Sequence, residues 1–196
     1  MKTAAPLFAA TIVAAALAFA PAVQAQENVD LGEGFLCCNM RSDGAWISDA
    51  NYQDPNKTMI PFGTPMRHAG WGRYRLQVDI EGKRLEIGND YSRTLSMEEF
   101  GRRYLVQKDP RKQAAYTGAS AKVRKAIESA HVTRGMTRTQ VLYAIGYPVA
   151  NETPILQSTP WKYRASSGAF SVHFDGQGHV TNVHADPDTL RQVYTP

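Results

Sequence analysis

The segment Leu76–Ile87 restricts the fold of this chain more than any other stretch. Leu76-Gln77-Val78-Asp79-Ile80 alternates apolar and polar residues, Glu81-Gly82 suits a two-residue turn, and Lys83-Arg84-Leu85-Glu86-Ile87 alternates again. A turn at Glu81-Gly82 pairs Ile80 with Lys83, Val78 with Leu85 and Leu76 with Ile87. That register puts the apolar residues on one face and sends Asp79, Arg84 and Glu86 to the other. A slip of one residue would turn the apolar set toward water. The segment therefore predicts an antiparallel hairpin with one buried face, which other elements must cover.

The beginning of the chain reads as an export signal. Lys2 gives a positive start, Leu7 to Phe19 is an apolar run broken only by Thr11, and Ala22-Val23-Gln24-Ala25 supplies small residues for cleavage after Ala25. The run is short for a bilayer span of about 20 residues and has no charged stop-transfer flank. Lipid attachment would need a cysteine directly after the cleavage site, where Gln26 stands. The expectation is a periplasmic protein without a lipid anchor or membrane span. Removing residues 1–25 lowers Lys+Arg from 22 to 21 against 18 acids, so the net charge falls from +4 to +3. This mild excess falls short of a nucleic-acid footprint and suits a solvated surface, with anionic headgroups or acidic partners as the sharper alternative.

The two cysteines, Cys37 and Cys38, are adjacent. Neighbouring Cα atoms lie about 3.8 Å apart, whereas disulfides prefer roughly 4.4–6.8 Å. Three outcomes stand open: a strained vicinal bridge, two buried thiols, or disulfides to a second chain. The Cys-x-x-Cys spacing of a thiol redox enzyme is missing.

The remaining pattern divides into two units. Residues 26–107 are β-rich. Met59 to Met66 reads as an edge strand broken by Pro61 and Pro65. Ser96-Met97-Glu98-Glu99 is a capping box opening a helix, with Phe100, Tyr104 and Val106 on its apolar side. Residues 108–118, charged and interrupted by Pro110, read as a linker. Residues 119–196 follow the order α–α–β–β–β. Val123, Ala126, Ile127 and Ala130 mark one helical face. Thr137 and Gln140 form a second capping box; Val141, Leu142 and Ile145 supply the stripe, and Gly146 and Pro148 stop the helix. Strands follow at Trp161–Tyr163 and Phe170–Phe174. The loop Gly176-Gln177-Gly178 sets Phe174 opposite Val180, but then only a bulge brings Val183 to the same face.

Gly135-Met136-Thr137, Gln140-Val141, Gly146-x-Pro148, Trp161-x-Tyr163, Val172-x-Phe174-Asp175, Gly178 and Val180 together resemble the SmpA/OmlA family of outer-membrane assembly lipoproteins. The resemblance covers about 65 residues, Ala119 to Val183. It implies two helices packed on a three-stranded antiparallel sheet, and an accessory, non-catalytic role in outer-membrane or envelope assembly. The same shape also resembles β-lactamase-inhibitor-type modules, which bind proteins by a concave sheet. Two departures stand out: the family's lipid anchor has no acceptor cysteine here, and an unrelated unit precedes the match. Hairpin spacing and Ile60-Pro61-x-Gly63-Thr64-Pro65 give residues 26–107 a resemblance to a small SH3-like barrel.

Enzymatic chemistry finds little support. The five histidines are His68, His131, His173, His179 and His184, and no dependable register joins two of them with a third ligand. No nucleophile elbow or phosphate loop is present, and no cofactor is expected. Aromatic residues are the better candidates. Trp71, Tyr74 and Tyr147 are assigned to an interaction surface, with core packing as their plain alternative. The expectation is an α+β, non-catalytic periplasmic interaction module whose partners are envelope proteins. The alternative is a protein that grips peptidoglycan peptides or an anionic lipid through the SH3-like unit. A thiol-active protein using Cys37 and Cys38 stands third. Nucleic acid is not an expected partner.

Overall fold

The structure is a computed structural model that describes residues 29–196; the segment read as a signal peptide, with its cleavage site, lies outside the described residues. The described chain is α+β, with an eight-stranded sheet, a three-stranded sheet and five α-helices. The first sheet contains β1 (Glu33–Leu36), β2 (Met40–Asp43), β3 (Trp46–Ser48), β4 (Thr58–Ile60), β5 (Pro65–Gly72), β6 (Arg75–Ile80), β7 (Lys83–Gly88) and β8 (Leu105–Val106). Its strand order is β4-β2-β3-β7-β6-β5-β1-β8. All neighbours are antiparallel except β3 and β7.

The β6–β7 hairpin is central and pairs in the expected register, Leu76 with Ile87, Val78 with Leu85 and Ile80 with Lys83. Glu81 and Gly82 both have positive φ, 51° and 75°. A two-residue turn of this hand matches the twist of the strands it joins. The hairpin's apolar face is buried with Leu36, Met40, Ile47, Phe100 and Tyr104. Helix α1 (Met97–Tyr104) opens on the Ser96–Glu99 capping box and directs Phe100 and Tyr104, one turn apart, into this core. Val106 does not belong to the helix. The backbone turns extended at Leu105, and Leu105–Val106 pairs with β1 as an edge strand.

Residues 108–118, read as a linker, hold a 3-10 turn at Pro110–Lys112 and helix α2 (Ala114–Thr117). Asp109 caps the turn and pairs with Arg111. Helices α3 (Ala121–Glu128) and α4 (Arg138–Ile145) follow, then β9 (Trp161–Arg164), β10 (Ala169–Phe174), β11 (Val180–His184) and α5 (Pro187–Val193). β9 to β11 form the antiparallel three-stranded sheet, with β10 in the middle. A register shift between His173 and Phe174 is the bulge needed for Phe174 to face Val180 while Val172 faces Val183. Both valines of β11 are consequently buried. No helix among the described residues is long and apolar enough to cross a membrane.

Two buried clusters underlie the two sheets, and Phe62 of the first unit sits in the second cluster. Its ring meets Tyr116 edge-on at 5.0 Å and stacks on Tyr143 at 5.7 Å. Beside it runs a buried amide chain. Asn39 Nδ2 donates to the carbonyl oxygens of Ile127 (2.6 Å) and Ala144 (3.0 Å), and its Oδ1 accepts from Phe62 N–H (2.8 Å). Asn51 Nδ2 donates to Ile145 O (2.8 Å) and Asn39 O (2.9 Å). Gly146 is therefore more than a helix stop. Its φ of 81° suits glycine, and a Cβ there would lie 2.9 Å from Asn51 Nδ2.

Replacing Asn39 strands Ala144 O and the Phe62 N–H, while Ile127 O keeps the Ala130 N–H, and each stranded group costs roughly 1–3 kcal/mol. Asn39→Ala is expected to lower the unfolding free energy by about 3 kcal/mol. Urea denaturation checks this, and a loss within error of zero would show that the amide chain does not hold the units together.

Candidate functional site

A groove of about 890 Å³ lies on the outer side of the eight-stranded sheet. β1 contributes Glu33 and Phe35, β5 contributes Pro65, Met66 and Arg67, and β6 contributes Asp79. Gly82 and Gln107 close its ends. Alternation along each strand turns Glu33, Phe35, Pro65, Arg67 and Asp79 to this face, while Met66 enters the core between them.

Cross-strand pairing then orders the charges. Glu33 stands opposite Arg67, Arg67 opposite Asp79, and Asp79 opposite Arg84, so four adjacent strands carry a row of alternating sign. Arg67 Nη2 lies 2.5 Å from Asp79 Oδ2, and Arg84 Nε lies 2.6 Å from Asp79 Oδ1. The hydrogen bond from Arg84 holds the Asp79 carboxyl below its usual range; the charges of Arg84 and Arg67 act in the same direction, against a smaller desolvation effect. Opposite charges in such a row are mutually stabilising. The half-buried Phe35 ring and the exposed Pro65 side chain add apolar contact surface. This arrangement can hold a ligand that has apolar side chains and both signs of charge, because every charge it offers lies next to its opposite.

The residues singled out in the sequence occupy other places. Trp71, near the end of β5, donates its Nε1–H to Val29 O at 2.8 Å and tilts against His68 at 4.7 Å. Tyr74 stands in the β5–β6 turn at 39% exposure with φ 59°, between the guanidinium groups of Arg93 (3.9 Å) and Arg73 (5.7 Å). Tyr147, in the loop after α4, is half-buried against Tyr104 of α1, with Arg103 over its ring at 5.0 Å. Only Tyr74 of the three is exposed; Tyr147 belongs to the seam between the units. Cys37 and Cys38 are joined through sulfur and buried in the first core, and Cys37 N–H donates to Tyr104 O at 2.9 Å. The His173 and His184 rings lie tilted at 4.2 Å, and His179 faces Asp175. No cluster of three or more His, Cys, Asp or Glu side chains suited to a metal ion occurs among the described residues.

Glu33, Phe35, Arg67 and Gln107 were not singled out in the sequence. The signal that places Arg67 opposite Asp79 is hidden by a register shift between His68 and Gly70 in β5, which breaks the count along the strand. Comparison with known proteins finds no matching family model, characterised protein or solved structure.

Arg84→Ala is expected to raise the titration midpoint of Asp79 toward the ordinary value of about 3.9. The folded midpoint lies below the unfolded one, so the stability Asp79 contributes is complete above the unfolded value and is lost as pH falls through the folded value. Carboxyl ¹³C NMR titration of Asp79 in both proteins provides the measurement. An unchanged midpoint would show that Arg84 does not set it.

Proposed function

We propose that this chain is a non-catalytic interaction module of the cell envelope, exported to the periplasm, that grips an extended polypeptide segment in the groove of its eight-stranded sheet. The observation that carries this reading is the row Glu33–Arg67–Asp79–Arg84 running beside Phe35 and Pro65. A polypeptide offers amides, apolar side chains and both signs of charge at a spacing close to the strand repeat, and such a row can match it. An anionic lipid headgroup would meet Glu33 and Asp79 in the same groove, so the geometry favours a peptide over a headgroup.

In this reading residues 26–107 form an SH3-like binding unit, and residues 119–196 form a SmpA/OmlA-like module that supports it. The element order α3, α4, β9, β10, β11 supports the second assignment. A role in outer-membrane or envelope assembly follows from the same resemblance, with envelope proteins as partners. A second reading rests on the same row of charges: a peptidoglycan stem peptide also carries free carboxylates and an amine, and fits a groove of alternating sign.

Crosslinking of the mature chain in envelope extracts, followed by identification of the captured proteins, tests the proposal. Recovery of barrel-assembly or other envelope proteins, weakened about tenfold or more by Arg67→Glu, supports the first reading. Retention on purified cell wall with the same sensitivity supports the second. Binding that ignores Arg67→Glu would rule out the groove as the site.

A further inference from the structure

A second cavity, of about 500 Å³, opens where the two units meet, away from the groove. The first unit lines it with Arg41, Gln53 and Pro55, and the second with His131, Ser166, Gln192 and the paired Asp188 and Arg191. The second unit's wall is fixed in place. Gln192 Nε2 donates to Gln53 O (2.6 Å) and Ser166 Oγ (2.9 Å), and Ser167 Oγ donates to Gln192 Oε1 (2.6 Å). His131 Nδ1 lies 2.8 Å from Ser129 O, which leaves its other ring nitrogen unengaged by that contact.

Arg41 is the unusual member. Its backbone N–H donates to Asn51 Oδ1 at 2.8 Å, and the side chain is half-buried. Its guanidinium makes no ion pair or hydrogen bond among the described residues, and Nε is buried without an acceptor. The nearby acids are otherwise engaged. Asp188 pairs with Arg191, and Asp54 accepts from Asn56 N–H at 2.9 Å. Other arginines of the first unit behave differently: Arg67, Arg75, Arg84 and Arg93 each reach a carboxylate. Burial holds the Arg41 guanidinium below its usual range, against a smaller opposing effect of the Asp54 charge. Buried polar groups are nearly always partnered, so an orphaned guanidinium facing a cavity marks a place for an acceptor.

We propose that the seam cavity is an oxyanion site, in which a small ligand bearing a phosphate or carboxylate group is held by the Arg41 guanidinium, with Arg191 at the rim. A guanidinium presents planar paired N–H donors that match either oxyanion. The cavity volume falls within the range of small-molecule sites and exceeds what a bare phosphate needs, so the anion is one end of a larger ligand. Arg41 belongs to the first unit and Arg191 to the second. The bound anion therefore also ties the units together and stabilises the folded chain by mass action.

The test titrates the mature chain with inorganic phosphate, with succinate and, at matched ionic strength, with chloride. The readouts are the Arg41 Nε–H NMR signal and the thermal unfolding midpoint. The expected result is a saturable shift of that signal and a raised midpoint with phosphate or succinate but not chloride; the more effective anion identifies the chemistry. Arg41→Gln is expected to weaken binding about tenfold or more, and to leave the ligand-free chain at least as stable, since an unpaired charge is removed. Arg191→Gln, on an exposed helix face, is expected to weaken binding several-fold without affecting the fold, and it decides the matter if Arg41→Gln does not fold. Equal responses to all three anions, no saturable response to either oxyanion, or wild-type binding by the folded variants would overturn the proposal.

Discussion

The ends of helices α3 and α4 turn buried carbonyl groups toward Asn39, which is the donor to Ala144 O and a second donor, beside Ala130 N–H, to Ile127 O. One carboxamide, 2% exposed, bonds to Ile127 O and Ala144 O while accepting from Phe62 N–H. Asn51 extends the chain to Ile145 O. Orphan helix-end carbonyls are costly when buried, and here they are satisfied by amides in the connections that follow β1 and β3. The remaining features of the join depend on this geometry. Phe62 is carried into the second core by the backbone that Asn39 holds, Gly146 leaves room for Asn51, and Tyr147 leads off against Tyr104.

The two candidate sites differ in how their charges are balanced. In the groove every cation is placed beside an anion on the next strand, so the surface is close to neutral but strongly patterned. Such a surface selects ligands by register. At the seam, Arg41 makes no ion pair among the described residues: Met59 of β4 stands opposite it, and across the cavity Asp188 is paired with Arg191. A site of that kind selects by charge. Both follow from strand pairing, one between neighbours of a sheet and the other from where the sheet ends against α5.

Parts of this fold were legible in the amino-acid order. The Leu76–Ile87 hairpin, the capping boxes at Ser96 and Thr137 and the stop at Gly146 are local devices, and each has the geometry its residues imply. The bulge beside Phe174 was also implied, because Val180 and Val183 could not otherwise share a face. The limits have physical causes. Val106 looks helical by spacing, yet pairing with β1 outweighs that preference. Tyr147 looked like a surface aromatic, and tertiary packing made it a seam residue. The groove was not foreseen, since its charges come together only when β1, β5 and β6 align across a register shift in β5.

The sequence by itself therefore determined the elements whose information is short-range: which residues alternate, which cap, which turn, and which apolar faces need cover. Those choices depend on interactions among residues a few positions apart, where the chain has little freedom to do otherwise. Only the tertiary structure decided that Asn39 would serve helix ends about 88 and 105 residues away, that Glu33, Arg67, Asp79 and Arg84 would form one row, and that Arg41 would face a cavity without a partner. Each of these joins segments far apart in the chain. Their juxtaposition is set by how two cores fit together, which no local pattern records.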